Sequence, residues 1–341
     1  MIIPGDALTE LRKLDSESVH CCVTFPPFWG LRDYGVSGQI GLERTPDEYT
    51  RKIVEIFSEV RRILRPDGTA WINLGDSYAN DGKWGGSSGG KHASALHGNS
   101  GIGRGKRATG LKPKDLVGIP WLVAFALRAD GWYLRSDIVW SKPNPMPESV
   151  KDRPTRSHEY LFLLSKQERY HYDSEAIQEP GSESSLVRLN QPGFDLQTGG
   201  DKDPKDGNRS QRRALVNLKV KLDKQRGHGR RHAGFNDRWD LMEKQEQCSL
   251  MRNKRDVWNV AIRPFREAHF ATFPPELVEP CIKAGCPVGG TVLDPFLGSG
   301  TTGAVAKRLG REFIGIELNP KYCEMAERRI SREGYQMEIR P

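Results

Sequence analysis

The sequence predicts an α/β fold built on a mostly parallel sheet with helices on both faces. Three observations carry that expectation. Short apolar runs alternate with helix-periodic stretches at both ends of the 341 residues. Gly, Pro and Asp bound those runs where an element should stop. Near the C-terminus a strand, a glycine loop, a helix and a second strand follow one another without interruption, the unit from which parallel sheets are made.

Taken in order, residues 2 to 4 make a short strand ending in Gly5-Asp6, and "ALTELRKLDSES" a short helix with its turn. "VHCCVTF" is a second strand. "TPDEYTRKIVEIFSEVRRILRPDG" has helical spacing, with Ile53, Ile56, Phe57, Val60 and Leu64 on one side and Pro66-Asp67-Gly68 as its stop. "TAWINLGDSY" is a third strand. From about Asn80 to Lys114 the pattern gives way to Gly, Ser and His with Lys83, Lys91, Arg104, Lys106, Arg107, Lys112 and Lys114 against the single acid Asp81, a flexible cationic loop suited to a phosphate backbone. Regularity returns with a helix and strand in "KDLVGIPWLVAFALRADGWYLRSDIVWSKPNPMPES" and a strand in "HEYLFLLSK". A polar stretch from about 178 to 256 lacks periodicity and reads as either a functional insertion or a disordered one. Then come a helix opened by prolines ("ATFPPELVEPCIKAG"), a strand ("TVLDPF"), a helix ("TTGAVAKRLG"), a strand ("EFIGIEL") and a closing helix ("NPKYCEMAERRISREG").

The formal charge of +8 favours a polyanionic partner without requiring one. Six cysteines (Cys21, Cys22, Cys248, Cys281, Cys286, Cys323) form no CxxC pair and no zinc spacing, so buried, reduced thiols and no metal site are expected. No run approaches the ~18 apolar residues of a membrane helix, and the N-terminus lacks a basic, then apolar leader, so a cytoplasmic protein is expected.

The strongest chemical signal is "VLDPFLGSGTTGAVAKRLGREFIGIELN". A strand runs into Asp294, the loop carries Gly298 and Gly300, a helix follows, and the next strand ends in Glu317. Glycines let backbone approach a ligand and aim helix N-terminal amides at it. An acid about 20 residues on is placed to accept both hydroxyls of a ribose. The loop has no P-loop lysine, and Asp294 would repel a pyrophosphate but suits an ammonium. A nucleoside with an amino-acid tail, S-adenosylmethionine, fits that combination.

On these residues the chain resembles a β-class DNA amino-methyltransferase, the group in which the catalytic motif precedes the cofactor motif. The resemblance implies a Rossmann-like fold with a seven-stranded, mostly parallel sheet in permuted motif order. It also implies a catalytic half at 1–177, a target-recognition insertion at 178–256 and a cofactor-binding half at 257–341. "DPFLGSGTT" (Asp294, Phe296, Gly298, Ser299, Gly300, Thr301, Thr302) resembles the family's cofactor loop, and Glu317 its ribose acid. "HFATFPPEL", with Phe273, resembles the segment near the methionine end, and Gly5-Asp6 the motif that contacts the adenine. "TFPPFWGLRDYG" resembles the catalytic loop, whose usual form is Asp-Pro-Pro-Tyr or Ser-Pro-Pro-Tyr.

Thr24, Phe25, Pro26, Pro27 and Phe28 are thus the candidate catalytic residues. A proline pair after a strand must leave the sheet as a stiff extended loop. An exocyclic amino nitrogen is a poor nucleophile, so it needs acceptors for its hydrogens and a platform for its ring, and its base must be flipped out of the duplex. The Pro26 carbonyl supplies one acceptor and the Phe28 ring the platform. Phe25 stands where the family has Asp, Asn or Ser, and a phenyl ring accepts no such bond. Three readings stay open. The second acceptor comes from elsewhere, with Thr24 or Asp76 as candidates; the enzyme is slow; or catalysis is lost and binding kept.

The flanking "WGLRDYG" resembles members with the Ser-type loop, which favours cytosine N4 over adenine N6 as the target. Double-stranded DNA is the expected partner, contacted from the 178–256 segment by Arg212, Arg213, Arg226, Arg230 and Arg231. A homodimer and a cognate restriction enzyme are candidate partners by resemblance. His158 and Glu159 are expected to hold the fold rather than react.

Overall fold

The computed structural model describes residues 1–31, 33–79, 110–181, 251–263 and 273–339. It divides into one unit made of Met1–Ile177 with Arg255–Pro341 and a second of Gln178–Lys254. Most of the basic loop, the five candidate arginines and Cys248 lie outside the described residues.

The strands, in chain order, are Ile2–Pro4 (β1), Val19–Thr24 (β2), Leu64–Leu74 (β3), Tyr133–Ser141 (β4), His158–Ser165 (β5), Glu179–Pro180 (β6), Met251–Arg252 (β7), Val257–Asn259 (β8), Thr291–Asp294 (β9) and Glu312–Glu317 (β10). In the second unit β6 and β7 pair as a two-stranded antiparallel ribbon. The first unit holds an eight-stranded sheet in the order β1-β10-β9-β2-β3-β5-β4-β8. Five of its pairings are parallel, and β5 runs antiparallel to both β3 and β4. The sheet has one strand beyond the seven expected, because Val257–Asn259 adds to β4. Three residues carry too little alternation to announce a strand in sequence.

The order puts β2 at the centre, with Val19, Cys21, Cys22, Val23 and Thr24 all buried. That explains a continuous apolar run where a half-exposed strand would alternate. The helix before β3, α2 (Pro46–Ile63), follows α1 (Ala7–Leu11). The Thr45 hydroxyl caps α2 by accepting from the Glu48 N–H at 3.1 Å, Pro46 opens it, acids sit in its first turn and Arg61 and Arg62 in its last. Its buried stripe of Tyr49, Ile53, Ile56, Phe57 and Val60 covers one sheet face together with α3 (Ile119–Ala129). The expected stop falls earlier than Pro66: Leu64 already has extended backbone and pairs with Val19, so the chain passes from helix to strand without a loop.

The other face is covered by α4 (Pro275–Gly285) and α5 (Thr301–Arg308), and α6 (Pro320–Ile339) closes the chain. Cys21, Cys22, Cys281, Cys286 and Cys323 are buried, and burial raises the thiol pKa of Cys21 and Cys22. Among the described residues no helix is long and apolar enough to cross a membrane, and no acid, His or Cys cluster is suited to a metal.

Because β1, β10, β9, β2 and β3 are parallel, their C-terminal ends share one sheet edge, where open α/β sheets bind ligands. The antiparallel β5 starts at that edge and β4 ends there. β8, parallel to β4, ends there too, so sequence-distant residues from or after every strand of the sheet are delivered to one place.

Candidate active site

A cleft of about 270 Å³ opens along that edge. Its lining combines the loops after β1, β2, β9 and β10 with the ends of β3, β4 and β5.

At the β2 end, Phe25, Pro26, Pro27 and Phe28 line the cleft. The loop is fastened from outside. Tyr49, fully buried on α2, donates its hydroxyl to the Pro27 carbonyl at 3.0 Å, and burial raises its pKa. The Gly30 N–H donates to the Gly41 carbonyl at 2.7 Å, and the buried Trp29 indole to the Glu43 carbonyl at 3.0 Å. The Phe28 ring lies so close over Gly75 that a Cβ there would come within 2.4 Å of it. Phe25 stacks on Phe273 with ring centroids 3.5 Å apart and planes 7° from parallel.

Thr24 and Asp76, the two candidates for the second acceptor, are both committed elsewhere. Thr24 is fully buried, lines no part of the cleft, and donates to Asp294 Oδ1 at 2.6 Å. Asp76 accepts from the N–H groups of Ser77, Gly118 and Ile119 at 2.8 to 3.0 Å and pairs with Arg156 at 3.6 Å, so it caps the start of α3. Asn73 does line the cleft. Its Nδ2 donates to the Tyr160 carbonyl at 3.0 Å, and its buried Oδ1 has no hydrogen-bond partner.

At the β9 and β10 end, Glu317 Oε2 accepts from the Gly298 N–H and Oε1 from the Asn319 N–H, each at 2.8 Å. Burial raises its pKa while those bonds oppose the rise. Each carboxylate oxygen has further acceptor capacity, which the two hydroxyls of a ribose would use. Gly298 and Gly300 hold left-handed φ of +54° and +82°, and a Cβ on Gly300 would meet Ala326 at 2.8 Å. With the apolar walls of Ala7, Phe296 and Ile316, this floor fits a nucleoside.

Asp6, Phe273, Phe296, Gly298, Ser299 and Glu317 line the cleft. Asp6 also caps α1, accepting from the Thr9 N–H at 2.9 Å. Asp294, Gly300, Thr301 and Thr302 lie behind the wall and hold the loop. Asp294 is buried, and desolvation raises its pKa to about 6 against the bonds from Thr24, Thr302 and the Phe296 N–H. Arg329, from α6, donates to Ser299 Oγ at 3.0 Å and Thr301 Oγ1 at 2.7 Å, clamping the loop.

Sequence reasoning missed Asn73, Tyr49, Lys142 and Arg329. Asn73 alone carried a signal, as a polar residue inside the apolar run "AWINL". Glu159 and Lys142 form a close ion pair within the cleft, with Lys142 Nζ 4.3 Å from the Trp140 ring centre. His158 pairs with Ser141 in the sheet and lines no part of the cleft.

A family model described as DNA methylase, for the N6/N4 class, matches residues 19–328. The type II methyltransferase M.Cfr9I of Citrobacter freundii is 45% identical over 332 residues, 97% of this chain and 88% of that protein. M.SmaI of Serratia marcescens, another type II methyltransferase, is 44% identical over 97% of this chain and 90% of its own length. Among solved structures, TTHA0409 of Thermus thermophilus, a putative DNA modification methylase crystallised with S-adenosyl-L-methionine, superposes with a TM-score of 0.53 at 21% identity, covering 97% of this chain and 93% of that one. The cytosine-N4-specific PvuII DNA methyltransferase gives 0.53 at 20% identity over 96% and 85%. These two likenesses establish the fold.

Proposed function

The chain belongs to the N6/N4 DNA methylase family and is an S-adenosylmethionine-dependent DNA amino-methyltransferase, and from that premise we propose that it methylates N4 of a flipped cytosine in duplex DNA. The observation that carries the reading is the meeting of the Pro-Pro loop and the Glu317 loop in one cleft. The resemblance of "WGLRDYG" to Ser-type loops supports cytosine.

The cofactor supplies an electrophilic methyl group. Glu317 accepts the ribose hydroxyls, Gly298 and Ser299 bring backbone close, and Asp6, Ala7 and Phe296 border the adenine. Phe28 stacks on the target base, and the Pro26 carbonyl accepts one amino hydrogen, turning the nitrogen lone pair toward the methyl. Tyr49 keeps the loop rigid, so the acceptor is positioned before the base arrives. No strong base is required, because the nitrogen becomes acidic as it gains the methyl.

Recognition falls to the Gln178–Lys254 unit, with Arg212, Arg213, Arg226, Arg230 and Arg231 as its phosphate and base contacts. A homodimer, a cognate restriction enzyme and a cytoplasmic location complete the reading on family resemblance.

The test is transfer of labelled methyl to unmodified DNA of mixed sequence, followed by nucleoside digestion and mass spectrometry. N4-methylcytosine is expected. N6-methyladenine would move the target, and no methylated nucleoside with cofactor still bound would favour a binding protein that has lost catalysis through Phe25.

A further inference from the structure

We propose that Asn73 Oδ1 is the second acceptor for the target amino group, moved one strand over from the position Phe25 occupies. The inference rests on the methyltransferase reading above and adds the residue that makes it workable without a polar side chain before the prolines.

The sheet register sets the geometry. In the parallel β2–β3 pair Thr24, the last residue of β2, lies beside Ile72, so Phe25, the first residue past β2, follows at the level of Asn73 in β3. Partners in a parallel pair point to the same sheet face. Phe25 and Asn73 therefore emerge together, and both line the cleft beside the Pro26 carbonyl and the Phe28 ring. An acceptor transferred from residue 25 to residue 73 stays at the same edge and on the same face.

The amide's orientation follows from hydrogen bonding. The Tyr160 carbonyl can only accept, so it takes the Asn73 NH2 group at 3.0 Å, and the amide oxygen must face the other way. That oxygen is buried without a partner in a residue with no exposed surface. A buried acceptor left unsatisfied costs free energy that a native fold normally avoids. An incoming amino hydrogen satisfies it. Phe25 has meanwhile been put to another use, stacking flat on Phe273.

In the reaction the amino nitrogen attacks the methyl carbon. The N–C bond forms as the C–S bond breaks, the electron pair goes to sulfur, and the nitrogen then loses one proton to water. Asn73 takes no proton. Its oxygen holds one amino hydrogen and the Pro26 carbonyl the other, so the lone pair is aimed before bond making begins.

An anchoring role alone, holding β3 to β5 through Nδ2, is the competing explanation. Asn73→Ala and Asn73→Asp separate the two. Alanine removes acceptor and anchor together. Aspartate keeps an acceptor oxygen at the position of Oδ1 in either protonation state, and it loses the anchor only when ionised. Turnover on mixed-sequence DNA, cofactor affinity and melting temperature are measured for the full chain and both variants, and for Asn73→Ala combined with Phe25→Ser. Losing one positioned hydrogen-bonding group costs about 10²-fold in turnover. Asn73→Ala is expected to lose about that much while binding S-adenosylmethionine as the wild type does. Asn73→Asp should stay within about tenfold of wild type, and Phe25→Ser should restore part of the activity to Asn73→Ala by supplying a hydroxyl from the neighbouring strand.

The inference is overturned if Asn73→Asp folds yet is as inactive as Asn73→Ala and Phe25→Ser restores nothing, or if Asn73→Ala retains full turnover. Should Asn73→Ala not fold, Asn73→Asp decides alone: activity kept supports the acceptor, and activity lost in folded protein overturns it. A wild-type chain that methylates no DNA would instead overturn the functional reading itself.

Discussion

The two ends of the cleft are built in opposite ways. At the Glu317 end, the greater part of the lining comes from one continuous stretch, Pro295 to Asn319, where a glycine loop, a helix and a strand fold on themselves, joined by Gly5, Asp6 and Ala7 after β1. At the Pro-Pro end, proposed above to take the target base, Phe28, Asn73, Trp140, Lys142 and Glu159 come from or follow four different strands. Binding a nucleoside needs a local cradle, whereas aiming a nitrogen lone pair needs groups arriving from several directions. The first is a property of a motif, and the second is a property of the sheet order.

If the ends divide the work in this way, changes at each should be felt in different quantities. The largest effect is expected for Glu317→Ala. It removes charge-assisted bonds worth about 1.5–3 kcal/mol each, so affinity for S-adenosylmethionine should fall by about two orders of magnitude or more in calorimetry. Next comes Gly75→Ala at the other end. Its new methyl would meet the Phe28 ring at 2.4 Å and push it from its place. Turnover should drop by about tenfold or more with cofactor affinity unchanged, since misplacing a positioning group is costly. A parallel fall in affinity would mean that the two ends are not separable.

The smallest effect on transfer is expected for Asp294→Asn, which lies behind the wall and should show itself in stability. Asp294 has its pKa raised from 3.8 to about 6 by burial. An acid that holds its proton more tightly when folded costs stability as pH rises through that window, and about two units correspond to roughly 3 kcal/mol at most. The variant should therefore gain on the wild type in denaturant titrations between about pH 4 and pH 6, and hold a constant difference above about pH 7. A difference that does not change with pH would show that Thr24 and the Phe296 N–H already offset the burial.

The same contrast decides how much was legible in the sequence. Strand and helix alternation was readable because each element is long enough to show its period, as in α2 with its Thr45 cap. The glycine loop and the acid that meets it were readable because Gly298, Gly300 and Glu317 lie at fixed spacing in one strand–loop–helix–strand unit. Asn73 was not, because nothing local relates it to Phe25, 48 positions away; only the register Thr24 with Ile72 brings them together. Thr24, beside Phe25 in sequence, and Asp76, an acid within the third strand read from the sequence, were reasonable acceptors. Packing gives Thr24 to Asp294 and makes Asp76 a helix cap. Tyr49 was read as part of a helix, and its hydroxyl found a use only when β2 and α2 were packed together.

The most direct test of this division of labour is single-turnover methyl transfer to mixed-sequence DNA by Glu317→Ala and Phe28→Ala, each measured over a range of S-adenosylmethionine concentrations up to saturation. Glu317→Ala should recover most of the wild-type rate once saturated, while Phe28→Ala should bind the cofactor normally and remain slow at every concentration. Equal behaviour of the two, whether both are rescued or neither is, would contradict the account.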